Sequence, residues 1–315
     1  MKVAIMEGLG ISAQELAQRE KPFEDKGVAF EEFARTTDTA KLIEQARDAE
    51  VMILANMPMP AEVIRACPKL KFIDVAFTGV DHVGLDAARE RGIAVSNASG
   101  YSNEAVAELV LGMVLSMARN LRQVEDRCRT GSTKDGLVGW ELKGKTLGII
   151  GLGKIGSRTA ELFHAFGCAV LAQSRTRHEG TPEYIEQVSQ EELLRRSDVV
   201  VLHCPLNDST RGLINAEKLA MMKPSALLVN VARGPVVNEA DLAAALKNNV
   251  IAGACLDVFD KEPPLDPESP ILQSPNTLVT PHVAFATRES MSLRAEIVFE
   301  NLSNWMEGNQ SNIVL

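Results

Sequence analysis

Residues 146–166 read TLGIIGLGKIGSRTAELFHAF, and this stretch decides the fold. Its apolar start, Thr146–Ile150, predicts a buried strand, and the residues after the glycines have the spacing of an amphipathic helix. Between strand and helix stand Gly151, Gly153 and Gly156, a G-x-G-x-x-G turn. In that position the turn is typical of a site that binds the diphosphate of a dinucleotide. A glycine-rich turn without a ligand is the alternative, and it accounts less well for this context.

Each glycine has a separate physical role in such a turn. Gly151 permits the tight reversal, Gly153 lets the main chain approach the phosphates, and Gly156 allows close packing of helix on strand. The start of the helix adds N–H groups, among them those of Lys154 and Ile155, that have no partner one turn earlier and attract an anion. The sequence therefore predicts a phosphate-binding turn over residues 151–156.

The residues after the second predicted strand indicate which dinucleotide is bound. An Asp or Glu about 20 residues after the turn would bind the ribose hydroxyls of NAD. Here the strand ends at Gln173 and is followed by Ser174, Arg175 and Thr176, without a carboxylate. Hydroxyl and guanidinium groups suit a 2′-phosphate, so the sequence favours NADP(H). If these are solvated loop residues, NAD(H) bound through other contacts is the alternative.

Apolar runs alternate with amphipathic segments on both sides of this turn, which predicts βαβ units and parallel sheets. The predicted strands before residue 100 are Val3–Met6, Val51–Leu54, Phe72–Ala76 and Ile93–Ser96. Those of the later half are Thr146–Ile150, Val170–Gln173, Asp198–His203, Ala226–Val231, Ile251–Leu256 and Thr277–Thr280. Six such strands match a doubly wound dinucleotide-binding sheet.

The length of 315 residues favours two domains over a single core. One long helix is predicted over Ser102–Arg129, and a last helix over Ala286–Trp305. We expect residues 101–285 to form the dinucleotide-binding domain. The substrate-binding domain would combine residues 1–100 with residues 286–315, because the last helix crosses back to the first domain.

Composition excludes several classes of protein. The net charge of −9 argues against a nucleic-acid partner, since phosphate backbones attract basic surfaces. Five dispersed cysteines without a C-x-x-C pair favour a reducing compartment and no structural metal site. No apolar stretch approaches the roughly 20 residues of a membrane span, and the N-terminus lacks the apolar core of a secretion signal. We therefore expect a cytoplasmic protein that does not act at a membrane.

Four further segments carry a more specific signal than the glycines. They read HCPL over residues 203–206, NVARGPVVNE over 230–239, DVFDKEP over 257–263 and TPHVA over 280–284. With these motifs the chain resembles the D-2-hydroxyacid dehydrogenase family over nearly its whole length. The resemblance implies an α/β protein with two Rossmann-like domains, a doubly wound parallel-sheet cofactor domain and a smaller flavodoxin-like substrate domain. It also implies a homodimer that packs through the cofactor domain, with the segment Ser102–Arg129 near the interface.

The three catalytic positions of that family fall on Arg233, Glu262 and His282. Reduction of a 2-oxo acid needs a cation for the carboxylate, which the planar fork of Arg233 suits. It also needs a proton donor for the carbonyl oxygen, the role that the resemblance gives to His282. Glu262 would hold the other ring nitrogen and favour the imidazolium form. We expect these three side chains to meet at one site.

The resemblance also implies residues that border the cofactor. Asp257 faces the nicotinamide carboxamide or, as an alternative, caps the main chain. The remaining positions are His203, Pro205 and Thr210 on the adenosine side, and Ala232 and Ala284 beside the nicotinamide.

Two loops of the first domain are expected to bind the substrate. The main-chain N–H groups of Thr78, Gly79 and Val80 would bind its carboxylate, and Met57 and Tyr101 would contact its remainder, although Met57 is equally suited to packing. The loop at residues 56–58 is neutral, which argues against a phosphorylated substrate. We favour hydroxypyruvate or glyoxylate, with aromatic and branched 2-oxo acids as open alternatives.

Two other functions fit the same motifs. A non-enzymatic NAD(H)-sensing regulator can share this fold, because fold alone does not fix function. A phosphite dehydrogenase is the second alternative, whereas the formate-oxidising branch departs from the family at the carboxylate that Glu262 supplies here. Steady turnover of a 2-oxo acid would separate an enzyme from a regulator.

We expect Arg175→Ala to weaken NADPH binding by about tenfold or more and to change NADH binding far less. The reason is that only NADPH carries the 2′-phosphate, and a hydrogen bond to a charged group contributes about 1.5–3 kcal/mol. Fluorescence titration of both cofactors checks this. An equal loss for NADH and NADPH would reject a contact between Arg175 and the 2′-phosphate.

Overall fold

The computed structural model describes residues 1–175, 180–262 and 265–315. The chain divides into two compact units, one of residues 1–102 and 286–315, the other of residues 103–285. Each unit contains its own parallel β-sheet with helices between the strands. The α/β fold with two parallel-sheet units that the sequence predicts is therefore confirmed.

The sheet of the first unit has the strand order β2-β1-β3-β4-β5 in the described residues, which is the flavodoxin-like order. Its strands are β1 (Lys2–Ile5), β2 (Ala29–Glu32), β3 (Val51–Leu54), β4 (Phe72–Val75) and β5 (Ala94–Asn97). Helices α1 (Ala13–Glu24), α2 (Thr39–Ala46), α3 (Ala61–Ala66) and α4 (Leu85–Glu90) lie between them. The central strands β3 and β4 are buried throughout, as expected of a parallel sheet covered on both faces.

The second unit begins with helices α5 (Asn103–Ala118) and α6 (Leu121–Arg129) and then forms the larger sheet. Its strands are β6 (Thr146–Ile150), β7 (Ala169–Gln173), β8 (Ile185–Gln187), β9 (Val199–Leu202), β10 (Leu227–Asn230), β11 (Gly253–Leu256) and β12 (Thr277–Val279). Its other helices are α7 (Lys154–Ala165), α8 (Gln190–Arg196), α9 (Ala216–Ala220), α10 (Glu239–Lys247) and a 3₁₀ turn, Gly234–Val236. The order β12-β11-β10-β9-β6-β7-β8 is the doubly wound dinucleotide-binding order with one added strand.

The last helix, α11 (Arg288–Met306), belongs to the first unit. Thr287 caps it, since its side chain accepts from the N–H of Ser290 while the Ser290 hydroxyl accepts from the N–H of Thr287. The Trp305 ring stacks on Phe72 of β4 at 4.9 Å. The capping box fixes the residue at which the helix begins. The aromatic contact packs the end of the helix against the sheet.

The prediction of one long helix over Ser102–Arg129 was wrong. The segment forms two helices, because Asn120 adopts a left-handed conformation with φ 51° between α5 and α6. Asn tolerates this conformation better than most residues, so it ends α5 and redirects the chain. Among the described residues no helix is both long enough and apolar enough to span a membrane.

Two short strands, β2 and β8, were also missed. Both lie at sheet edges, and β2 exposes Glu31 and Glu32 to solvent. An edge strand paired on one side shows no buried apolar run, so its hydrogen bonds to β1 define it rather than its sequence.

We expect Gly148→Ala to destabilise the second unit by about 1–3 kcal/mol. Gly148 lies in β6, and an added Cβ would be 2.2 Å from Ser197 Oγ and 2.6 Å from Leu193 Cδ2. Denaturant unfolding measures the change, with Gly112→Ala in α5 as the control, since a Cβ there meets nothing within 4 Å. Equal stability of the two variants would contradict close packing of α8 on β6.

Candidate active site

The strand ends of the second unit lie level with one another. Pairing places Ile150, Leu202, Asn230, Leu256 and Val279 in one row across β6, β9, β10, β11 and β12. The residues just beyond this row stand at the carboxyl edge of the sheet, where open α/β sheets bind ligands. They include Gly151, His203, Asp257 and Thr280.

The glycine turn is shaped by contacts that a side chain would prevent. Gly151 has φ 104°, and a Cβ on it would lie 2.6 Å from Cys204 N and from His203 C. A Cβ on Gly156 would lie 2.2 Å from the carbonyl oxygen of Gly151. The turn therefore packs against both the start of α7 and the chain that leaves β9.

Gly153 differs from the other two glycines. It is the N-cap of α7, and a Cβ there would meet nothing within 4 Å. It borders a cavity of about 450 Å³ that is lined by Leu152, Gly153, Lys154, Ser157, Gly180, Thr181 and Pro182. Open space beside a helix N-terminus suits a dinucleotide diphosphate. The sequence did not single out the segment 180–182, because nothing in its composition places it beside the glycines.

The predicted cofactor residues on the adenosine side are spread along the same edge. Ser174 is half-buried and Arg175 is exposed directly after β7, while Thr176 lies outside the described residues. In the loop after β9, the hydroxyl of Thr210 donates to the carbonyl of Pro205 at 2.6 Å and stabilises that loop.

His203 makes a structural contact. Its Nε2 lies 2.9 Å from the hydroxyl of Thr159, which is fully buried in α7. Burial lowers the pKa of His203 to about 3, so its ring is neutral at physiological pH. A neutral ring held between β9 and α7 supports the glycine turn and is unsuited to exchange a proton.

Arg233 stands on a turn that a buried amide holds in place. Asn230, 1% exposed at the end of β10, donates to the carbonyl of Arg233 at 2.9 Å and accepts from Ala232 N at 3.1 Å. Nη1 of Arg233 donates to the carbonyl of Ala232 at 2.8 Å. The turn thus presents a half-buried guanidinium at the carboxyl edge of the sheet.

The structure brings Glu262 and His282 together. Glu262 Oε2 lies 2.5 Å from His282 Nδ1, and Glu262 Oε1 accepts from the N–H of Phe259 at 2.5 Å. One carboxylate therefore holds both the imidazole and its own loop.

The loop that carries Glu262 also touches the turn that carries Arg233. A Cβ on Gly234 would lie 1.9 Å from the carbonyl carbon of Phe259. Because Gly234 follows Arg233 directly, its missing side chain lets the two segments approach. Nothing in the sequence assigns this role to Gly234, since only the folded structure shows the contact.

Asp257 organises the segment that carries His282. The fully buried carboxylate accepts from Thr280 Oγ1 at 2.5 Å, and from Val283 N and Ala284 N at 2.8 Å each. His282 lies inside this cap with φ 54°, a conformation that costs a non-glycine residue energy unless its surroundings fix it. Burial raises the pKa of Asp257, and these hydrogen bonds oppose that rise. The capping role considered from the sequence is the one these contacts display.

In the first unit a buried carboxylate shapes the loop after β3. Glu7, 5% exposed, accepts from Ala55 N at 2.8 Å and from Met57 N at 2.7 Å. Arg35 lies 3.3 Å from the same carboxylate and donates to Asn56 Oδ1 at 2.8 Å. The loop is neutral in sequence, but the fold brings a cation to it from the end of β2. A neutral loop sequence therefore does not exclude a cation beside Asn56.

The other predicted substrate residues lie in the same unit. Thr78 accepts at its carbonyl from Asn97 Nδ2 at 2.8 Å, and its buried hydroxyl has no hydrogen-bond partner among the described residues. Such a group suits a ligand or a water molecule. Gly79 and Val80 are half-exposed, whereas Met57 is fully buried, which fits the packing alternative. Tyr101 is 3% exposed, with the Arg294 guanidinium 5.8 Å from its ring.

Comparison with known proteins identifies the relatives of this chain. Residues 111–284 match the NAD binding domain of the D-isomer specific 2-hydroxyacid dehydrogenases. The chain is 32% identical to the hydroxypyruvate reductase of Blautia hydrogenotrophica, with 100% of this chain and 99% of that protein covered. It is 38% identical to the glyoxylate reductase of Thermofilum pendens, with 85% and 81% covered. An acyclic imino acid reductase solved with NADPH and D-Arg has a TM-score of 0.91 at 27% identity, with both chains covered fully.

The fold, the glycine turn and these relatives define a dehydrogenase that binds a nicotinamide cofactor. The chain belongs to the D-isomer specific 2-hydroxyacid dehydrogenase family, whose members are oxidoreductases that act on CH–OH groups. The resemblance carried by its motifs is confirmed. Within the described ranges no cluster of three or more His, Cys, Asp or Glu residues could hold a metal ion.

We expect Gly153→Ala to weaken dinucleotide binding by about tenfold or more while the free energy of unfolding changes by less than about 1 kcal/mol. The added methyl group has room in the protein, but it enters the space beside the helix N-terminus. Gly156→Ala is the comparison, because there the methyl meets the main chain and should reduce both stability and binding. Unchanged cofactor affinity in Gly153→Ala would exclude the diphosphate from this space.

Proposed function

We propose that the protein reduces a small 2-oxo acid to the D-2-hydroxy acid, with glyoxylate or hydroxypyruvate as the favoured substrate. The observation that carries this proposal is the 2.5 Å contact between Glu262 and His282 at the carboxyl edge of the cofactor-binding sheet. Relatives named glyoxylate reductase and hydroxypyruvate reductase support the choice of substrate.

His282 is the general acid in this proposal. In reduction its Nε2 gives a proton to the carbonyl oxygen, and in oxidation the same nitrogen takes it back. Glu262 stabilises the protonated ring from Nδ1 and fixes its orientation. The bound nicotinamide supplies the hydride, so the reaction consumes one proton and one hydride for each alcohol formed.

Arg233 binds the substrate carboxylate in this proposal and polarises the carbonyl group. Its guanidinium offers paired donors whose spacing matches a carboxylate, and the turn held by Asn230 limits its movement. A fixed cation raises the rate because negative charge grows on the carbonyl oxygen as hydride arrives.

The preferred cofactor in this proposal is NADPH. Ser174 and Arg175 follow β7 without a carboxylate, and the NADPH-bound relative supports the use of this form within the same fold. We further propose a homodimer formed through the second unit and a location in the cytoplasm. Size-exclusion chromatography with light scattering tests the first, and cell fractionation the second.

The deciding experiment follows absorbance at 340 nm with purified protein, glyoxylate, hydroxypyruvate, pyruvate, 2-oxoisocaproate or phenylpyruvate, and NADPH or NADH. Parallel reactions with an added amine test imine reduction, the activity for which the NADPH-bound structural relative is named. Steady turnover of glyoxylate or hydroxypyruvate without amine supports the proposal. Turnover that requires the amine, or no turnover while cofactor still binds, overturns it.

We expect Glu262→Gln to lower kcat by about 10- to 100-fold and to move the pH dependence of reduction. Reduction needs protonated His282, so activity falls as the pH rises. The neutral amide no longer favours imidazolium, and the half-maximal point should therefore move to lower pH. Initial rates from pH 5 to 9 measure it. An unchanged pH profile would remove Glu262 from proton transfer.

A further inference from the structure

A further carboxylate, that of Glu239, holds the loop that carries Glu262. Glu239 is the first residue of α10, and its Oε1 accepts from the main-chain N–H of Asp260 at 2.6 Å. Glu262 accepts from the preceding N–H, that of Phe259. Two successive main-chain N–H groups of the loop 259–262 thus donate to carboxylates. The N–H of Phe259 donates to Glu262 within the loop, and the N–H of Asp260 donates to Glu239 outside it.

Residues 234 and 239, which lie on one stretch of chain, both contact this loop. Gly234 presses its main chain against the peptide that joins Phe259 to Asp260, with a notional Cβ 1.9 Å from the Phe259 carbonyl carbon. Five residues later, Glu239 holds the N–H of that same peptide. The main chain of Gly234 therefore packs against this peptide, and Glu239 accepts a hydrogen bond from its N–H. A hydrogen bond to a charged group is stronger than a neutral one.

We propose that Glu239 is a positioning residue, which acts by holding the loop 259–262 so that Glu262 keeps its short contact with His282. Glu239 acts through Asp260 N and need not touch substrate or cofactor. The inference rests on the proposed roles of Glu262 and His282. Glu239 and Asp241 both lie in the first turn of α10, where either carboxylate favours the helix N-terminus. The contact with Asp260 N is what distinguishes Glu239.

Negative charge is dense around this site. The carboxylates of Asp260 and Glu262 lie near Glu239, and the Arg211 guanidinium lies near Asp260. Asp257 and Glu262 lie near His282. Burial raises the pKa of Glu239; the hydrogen bond from Asp260 opposes this rise, while the charges of Asp260 and Glu262 add to it. Removal of the Glu239 charge makes imidazolium at His282 less favourable, as does a loosened Glu262. Both effects move the pH dependence of reduction in the same direction.

The test compares Glu239→Ala and Glu239→Gln with Asp241→Asn. Asp241 lies in the same first turn of α10, but its carboxylate accepts from Ala216 N, on the side of α9. The control therefore removes the same helix-terminal charge without touching the 259–262 loop. Glu239→Gln keeps an oxygen that can accept from Asp260 N, and it keeps the proposal testable if the alanine variant does not fold.

We expect Glu239→Ala to lower kcat by about 10- to 100-fold with a small change in KM, and to move half-maximal reduction to lower pH by about half a unit or more. Glu239→Gln should recover much of kcat but retain part of the pH shift. Asp241→Asn should leave both unchanged. A loss of rate that is equal at every pH, or an equal shift in Asp241→Asn, would overturn the positioning role.

A second measurement separates this inference from the proposed reaction. The His282 imidazole can be titrated by NMR in the wild type, Glu239→Gln and Glu239→Ala, assigned by comparison with His282→Asn. Both variants lack the charge, but only Glu239→Gln keeps an acceptor for Asp260 N. A midpoint lower in Glu239→Ala than in Glu239→Gln supports the positioning role even if no 2-oxo acid is turned over, in which case the proposed function alone fails. Equal midpoints in the two variants overturn the positioning role even when turnover is observed.

Discussion

Level pairing of five parallel strands is the constraint on which the site depends. Because β6, β9, β10, β11 and β12 end in one row, the residues that follow them share one edge without a long loop to carry them there. Gly151, Asp257 and Thr280 each stand one residue beyond that row. Their positions are set by the hydrogen bonds that pair the strands of the sheet.

The groups expected to meet substrate are held in turn by polar side chains, of which Asn230 and Asp257 are buried. Asn230 fixes the turn of Arg233, Asp257 fixes the left-handed segment of His282, and Glu262 is tied to its own loop. A buried carboxylate or amide is costly unless its hydrogen bonds are satisfied, so these residues tolerate few alternative arrangements. Orientation at the site is therefore determined before any ligand arrives.

The sequence predicted the features that depend on local pattern. The buried strands, the glycine turn and the last helix, Arg288–Met306, follow from apolar periodicity and turn chemistry. The break at Asn120 and the edge strand Ala29–Glu32 did not, because a single backbone conformation and one-sided pairing leave little trace in composition. Glu262 and His282 were found through motif resemblance. Other contacts could be found only from coordinates, because their partners are more than 20 residues apart in the sequence. They are the contacts of Gly234 and Glu239 with the peptide between Phe259 and Asp260, and the contact of Arg35 with Asn56.

The level row of strand ends has a consequence for how such a protein diversifies. One residue inserted within β10 or β11 would advance every following side chain by about 3.3 Å and turn it to the opposite face of the sheet. Insertions beyond the row, in loops such as 205–210 or 265–276, leave that alignment intact. Descendants of one ancestral gene can therefore lengthen or replace these loops and acquire new substrates, while the strands tolerate substitutions but almost no change in length.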